Sequence, residues 1–230
     1  MIIAERKPLT EVLEMLDGSG EITVLGCRSC TAICLAGGEK EAKEMTEALS
    51  LHSELKGKSW SVRPITVERA CEKEFILPLQ GVKGTVLSLA CGVGAQVVQE
   101  MFPALQVIPG VNTSSMGAPE GMGVFVEKCA GCGDCILHLT AGICPIARCA
   151  KSLLNGPCGG SQNGKCEVSP ETPCAWDQIV RSLTTQGRLD LLERNIPPKD
   201  WRPSRSGGPR RTVNVEAVPG DAQKAWRDTE

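Results

Sequence analysis

Eight of the chain's 13 cysteines fall between Cys129 and Cys174, seven of them in the run CAGCGDCILHLTAGICPIARCAKSLLNGPCGGSQNGKC. A stretch so rich in Cys, Gly and Pro has no hydrophobic periodicity from which to build a core, so its thiols must supply the cross-links. The chain has only two histidines, which leaves thiolate as the dominant metal donor. The odd cysteine count excludes a fully paired disulfide set. The opening MIIAERKPLTEVLEML places charge on both sides of a short apolar stretch and has no signal-type apolar core. No apolar run reaches the length of a membrane span. These features predict a cytoplasmic protein, where thiols stay reduced and dense cysteine means metal or redox chemistry.

The 230 residues suit one large or two small domains. A formal net charge of -2, 3% aromatic residues and no tyrosine argue against a nucleic-acid stacking surface.

Along the first half, strand and helix patterns alternate. KPLTEVLEMLDGSG reads as a short helix with Pro8 in its first turn and Gly18 past its end. EITVLGC reads as a strand ending at Cys27. Ala42, Met45 and Leu49 then mark a helix whose surface carries the Glu39/Lys43 and Lys40/Glu44 pairs. SVRPITVERAC, TVLSLACG and LQVIPGVN read as three further strands, with GAQVVQEMF as a helix before the last. The alternation predicts an α/β fold with a parallel sheet, Rossmann- or flavodoxin-like, within residues 1–120, the strands and helices at about 20–115. Residues 121–195 read as a small cysteine-rich, metal-stapled domain. It closes on a helix capped by Thr172 and Pro173, with Trp176, Ile179, Val180 and Leu183 on one face. Residues 196–230, rich in Pro, Gly and Arg, read as an extended tail or partner-binding arm.

The cysteines form three groups. Cys27, Cys71 and Cys91 all fall at predicted carboxyl ends of strands, where open α/β sheets place their ligands. Cys27-x₂-Cys30-x₃-Cys34 offers three thiolates from one turn to a 4Fe–4S cluster. Cys91, beside the small residues GVG, is the favoured fourth ligand, with Cys71 as a spare or substitute. In the second group, Cys129-x₂-Cys132-x₂-Cys135 opens like the bacterial ferredoxin run, and Cys144 carries the proline that ends such runs, nine residues on rather than four. Gly131 and Gly133 would let that loop wrap close to a cluster. Cys149, Cys158, Cys166 and Cys174 remain, and their wide spacing suits tetrahedral zinc or a third cluster. His138 reads as a packing residue.

Other signals are weaker. CGVGAQVV opens a helix after a strand but lacks the full glycine fingerprint of a nucleotide site. In GPCGGSQNGKC the lysine precedes Cys rather than Ser or Thr, so it is no phosphate-binding loop. No acid/base set stands out.

The stretch from CAGCGDC through GICPIARCAKSLLNGPCGGSQNGKCEV to PCAW resembles the C-terminal domain family of methylenetetrahydrofolate reductase, often called zinc-binding. CRSCTAICLAGGEKEA and SLACGVGAQVV look like the N-terminal half of the same proteins, so the resemblance spans about residues 1–185. The match is to the small iron–sulfur subunit of the acetogen-type reductase. That resemblance implies a non-catalytic subunit carrying two or three 4Fe–4S clusters, with zinc as the alternative at one site. It also implies a catalytic partner that binds FMN and reduces methylenetetrahydrofolate to methyltetrahydrofolate. Ferredoxin or a larger redox module would be the electron donor. The competing expectation is a structural zinc module that stabilises or regulates the reductase without carrying electrons.

Overall fold

The computed structural model describes residues 1–212, together with Asn214 and Ala217. It divides into two compact units, Met1–Ala130 and Gly131–Glu230. The last stretch of the expected arm, beyond these positions, lies outside the described residues.

The first unit holds two sheets. Strands β2 (Glu21–Cys27), β3 (Ser61–Val67), β4 (Thr85–Ser88) and β5 (Gln106–Pro109) form a parallel sheet in the order β3-β2-β4-β5. Central β2 is buried from Ile22 to Cys27, as a strand covered on both faces must be. Its alternate residues feed two cores. Ile22 and Val24 pack with Leu87, Leu89 and Ile108 on one face. Leu25 and Cys27 pack with Val67, Ala70, Val86, Ala90 and Val98 on the other. β3 lies at the edge, where Pro64 does not interrupt a central ladder.

Helix α1 (Leu9–Met15) follows β1 (Ile2–Arg6), and Pro8 stands at its N-cap. The short α2 (Cys30–Ile33) precedes α3 (Glu39–Lys56), which turns Ala42, Met45, Leu49 and Ser53 inward at helical spacing. The Glu41 carboxylate accepts from Gly38 N–H at 2.8 Å at the start of α3, and Gly57 closes it with φ 63°. Helix α4 (Gly92–Met101) begins directly after Cys91.

Three strands depart from the expected pattern. β1, β6 (Val111–Gly121) and β7 (Val124–Cys129) form a separate antiparallel sheet, β1-β6-β7. The expected strand LQVIPGVN breaks at Gly110. Its first half joins the parallel sheet as β5, and its second half opens β6. A Cβ at Gly110 would meet Leu89 Cδ2 at 2.5 Å, so glycine lets the crossing form without displacing that side chain. β7 carries the first unit on to Ala130.

The second unit has little regular structure. α5 (Pro145–Arg148) and α6 (Ala175–Gln186) are joined by turns, and three short 3₁₀ turns complete it. Its core is small: Cys174, Trp176, Ile179, Leu183 and Leu191, flanked by Leu139, Ile143, Cys149 and Leu153. The Trp176 indole donates to Leu153 O at 3.0 Å. Cys174, rather than Thr172 or Pro173, stands at the N-cap of α6. No helix among the described residues is long and apolar enough to cross a membrane.

Gly37 joins these elements most tightly. Its carbonyl accepts from Cys27 N–H at 2.8 Å, its own N–H donates to Thr31 O at 3.1 Å, and an added Cβ would overlap Leu89 O. Because the obstruction is backbone, Gly37→Ala should cost about 1–3 kcal/mol. Gly57→Ala meets nothing within 4 Å and should cost only about 1 kcal/mol for its left-handed conformation. Urea unfolding of the two variants measures the difference.

Candidate metal centres

The parallel sheet reverses its winding between β2 and β4. From β2 the chain moves outward to β3, then returns past β2 to β4 and β5. Ligands of open α/β sheets bind outside the carboxyl ends of the strands at such a reversal. Cys27 ends β2, and Cys91 follows β4 by three residues. Cys71 follows β3 by four residues, because that strand stops at Val67 rather than running to the cysteine.

All three therefore lie at the carboxyl end of the sheet, though not as a ligating group as they stand. Burial raises the Cys71 thiol above its ordinary pKa, although the residue as a whole is exposed, and neighbouring Cys91 and Cys27 raise it further. Arg69 is held above its ordinary value first by its bond to Glu72, with smaller contributions from Cys71 and Cys27. Gly94 lets α4 settle close to both loops: a Cβ there would stand 2.9 Å from Ala70 Cβ and 3.0 Å from Ala90 Cβ. Ala70 and Ala90 immediately precede Cys71 and Cys91.

Cys30 opens α2 and is partly exposed, and its sulfur accepts from Ser29 Oγ at 3.9 Å. Cys34 is placed differently. It is buried in the core on the opposite face of β2 from Cys27, and its thiol donates to Ile2 O at 3.6 Å. The fold places Cys27, Cys71 and Cys91 at the carboxyl ends of neighbouring strands and packs Cys34 into a different core cluster from Cys27. The spacing of the CRSCTAIC segment gave no sign of this, because it does not reveal which face of the sheet the last thiol enters.

Of the ferredoxin-like run, Cys129 ends β7, and Cys132 and Cys135 belong to the second unit. Cys132 is buried and its thiol donates to Asp134 O at 3.6 Å, while Cys135 is exposed. Cys144 stands at the N-cap of α5, with Pro145 in its first turn. His138 lies in a 3₁₀ turn, and its carbonyl accepts from Arg188.

The last four cysteines converge on one small cavity of about 20 Å³, lined by Cys149, Cys158, Cys166 and Cys174 with Trp176 and Lys151 among the others. Local pairing brings two of them in. Gln162 and Lys165 exchange both backbone hydrogen bonds across Asn163 (φ 50°) and Gly164 (φ 76°), a two-residue hairpin of the Asn-Gly type. Beyond it, Cys166 N–H donates to Thr172 O and Cys174 N–H to Gly164 O, at 2.9 and 2.8 Å. The N–H groups of Val168 and Ser169 point at the Cys166 sulfur and hold its thiol below the ordinary pKa. Ala150 N–H and Lys151 add smaller contributions. Amide donors aimed at a sulfur favour thiolate, the form that binds metal.

None of the 13 cysteines is in a disulfide. Among the described residues, no three Cys, His, Asp or Glu side chains form a group that could hold a metal ion as they stand. In donor type, though not in present geometry, four thiols lining one cavity are the set that a single tetrahedral ion takes.

Residues 108–202 match a family described as methylene-tetrahydrofolate reductase C terminal. That stretch is similar to the C-terminal family of the reductase. It runs from β5 to Arg202 and takes in all eight cysteines from Cys129 to Cys174. Residues 1–107, with the first cysteine group, lie outside the match. No curated protein and no solved structure gives a match to the chain.

The placement of the first group is open to a direct test. Mild oxidation of the metal-free chain should join two of Cys27, Cys71 and Cys91 in a disulfide and leave Cys34 a free thiol. Peptide mapping by mass spectrometry would show it. A disulfide to Cys34 would contradict the placement.

Proposed function

We propose that this chain is the iron–sulfur electron-transfer subunit of a methylenetetrahydrofolate reductase complex. It would pass electrons from ferredoxin or a larger redox module to FMN in a catalytic partner, which reduces methylenetetrahydrofolate to methyltetrahydrofolate. The observation that supports this reading is the position of Cys27, Cys71 and Cys91 at the carboxyl ends of three parallel strands beside the reversal point of the sheet. The family match over residues 108–202 supports the choice of complex.

The first site is proposed as Cys27, Cys71 and Cys91, with Cys30 as fourth ligand because it is three residues from Cys27 across one turn. The second, on spacing, is Cys129, Cys132, Cys135 and Cys144. A 4Fe–4S cluster, when bound, supplies reversible one-electron storage. The chain's own residues supply thiolates, exclude water through Ala70, Ala90 and Gly94, and surround the first site with charge. Arg28 bridges Glu39 and Glu68 beside Cys27, and Arg69 pairs with Glu72 beside Cys71.

Zinc is the better fit for Cys149, Cys158, Cys166 and Cys174, given the small cavity and the amides directed at Cys166. There the metal would staple a unit whose own core is small. This site favours the second reading, a structural zinc module, for that part of the chain only.

Two outcomes test the proposal. Cys71→Ala should remove about one cluster's worth of iron from the anaerobically prepared chain, whereas Cys34→Ala should retain it. Mixed with its flavoprotein partner and reduced ferredoxin, the intact chain should speed flavin bleaching at least tenfold over partner and donor alone, a factor worth about 1.4 kcal/mol. Equal bleaching rates with and without the chain would defeat the electron-transfer role.

A further inference from the structure

The segment from Ile196 to Arg210 was expected to be an arm, yet it lies along its own unit. Asn155 receives Ile196 as a strand would: its Nδ2 donates to Ile196 O at 2.8 Å, and Ile196 N–H donates to Asn155 Oδ1 at 2.7 Å. Lys199 then reaches Asp134. Its Nζ donates to Asp134 O and Oδ2, both at 3.3 Å, and its side chain is only 4% exposed. Pro203 presses on Gly133, where an added Cβ would stand 2.7 Å from both Pro203 Cβ and Pro203 O. Arg210 donates to Gly131 O at 3.4 Å and also to Pro203 O. The turn between them is fixed by the buried Ser204, whose hydroxyl donates to Trp201 O at 2.6 Å and accepts from Ser206 N–H at 3.0 Å.

Within the Cys132–Cys135 loop these contacts choose their partners. They fall on Gly131, Gly133 and Asp134, residues that flank or separate the cysteines, and leave both sulfurs untouched. Asp134 O is the acceptor for the Cys132 thiol as well as for Lys199. When Cys132 loses its proton to bind metal, that carbonyl loses one donor and Lys199 keeps it satisfied. A lysine is seldom buried without such a task. From Ile196 to Arg211 the segment carries five basic residues and one acid, Asp200, which Arg202 already pairs at 2.7 Å.

We propose that residues 196–210 form a strap fixed over the Cys132–Cys135 loop, in which Lys199 is the positioning residue and brings positive charge beside the metal site. The charge half of this inference rests on the iron–sulfur reading above, and the strap itself does not. A cation near a cluster stabilises the reduced, more negative state, so the strap raises the reduction potential of the centre it covers. Asp134, whose side chain is 62% exposed, screens that charge only in part.

The experiment uses the full chain with Lys199→Met, Lys199→Arg and Asp134→Asn. In metal-free, reduced protein, alkylation of Cys132 by iodoacetamide is followed by mass spectrometry, with exposed Cys158 as the internal reference. Lys199→Met should raise the Cys132 rate about tenfold relative to Cys158, and Lys199→Arg should restore protection. Asp134→Asn keeps the backbone carbonyl and should leave Cys132 protected, so it decides the matter if the methionine variant does not fold. Unchanged Cys132 reactivity in Lys199→Met, or full exposure in Asp134→Asn, would overturn the strap. In iron-loaded protein the midpoint potential read by EPR should fall in Lys199→Met, recover in Lys199→Arg and rise in Asp134→Asn. Shifts absent or of the reverse sign would overturn the charge role. Failure to load iron at all would count against the iron–sulfur reading, while the alkylation series still decides the strap.

Discussion

The structure of the first unit turns on a single constraint: β2 is buried on both faces and lies where the sheet reverses direction. A strand so placed sends alternate side chains into two separate cores, and its carboxyl end opens between neighbouring crossovers. Cys27 inherits that opening. The loops after β3 and β4 deliver Cys71 and Cys91 to the same end because all three strands run parallel. The glycines follow from the same demand. Gly37 wedges the loop before α3 against Leu89, and Gly94 lowers α4 onto the alanines before the two cysteines. Cys34 falls outside the group because its thiol enters the other core.

The second unit obeys a different economy of forces. Among the described residues its hydrophobic cluster has only five buried members, Trp176 and Ile179 among them, a small core for the hydrophobic effect to work with. Hydrogen bonds add to it, some local, as in the Asn163–Gly164 hairpin and the amides turned toward Cys166, and some distant in sequence, as in the strap from Ile196 to Arg210. Each of these sets the backbone around a cysteine. Thiolate–metal bonds would then act on a frame already arranged for them, which lowers the ordering cost of binding.

Much of this was legible in the residues. The β-branched run EITVLGC marks its strand to the final residue, and α3 shows its face and its surface ion pairs in its spacing. The antiparallel sheet was hidden, because β1 is short and half charged and β6 carries Ser, Gly and Pro that read as loop. Those strands exist through pairing with each other, which local propensity does not report. The Asn163–Gly164 pair is itself a sequence signal for the hairpin. The burial of Cys34 in the other core was not visible, since it depends on which side of β2 the loop packs. The strap was hidden for a related reason: Pro, Gly and Arg composition describes a segment without a core of its own, and says nothing of a lysine buried against a distant aspartate.

The most direct test of the account is the metal and acid-labile sulfide content of the full chain purified without oxygen, read together with EPR of the dithionite-reduced protein. The account predicts brown protein with iron and sulfide in equal amounts, reduced-cluster EPR signals, and close to one zinc per chain. Colourless protein that holds zinc alone, with no sulfide and no EPR signal, would contradict it.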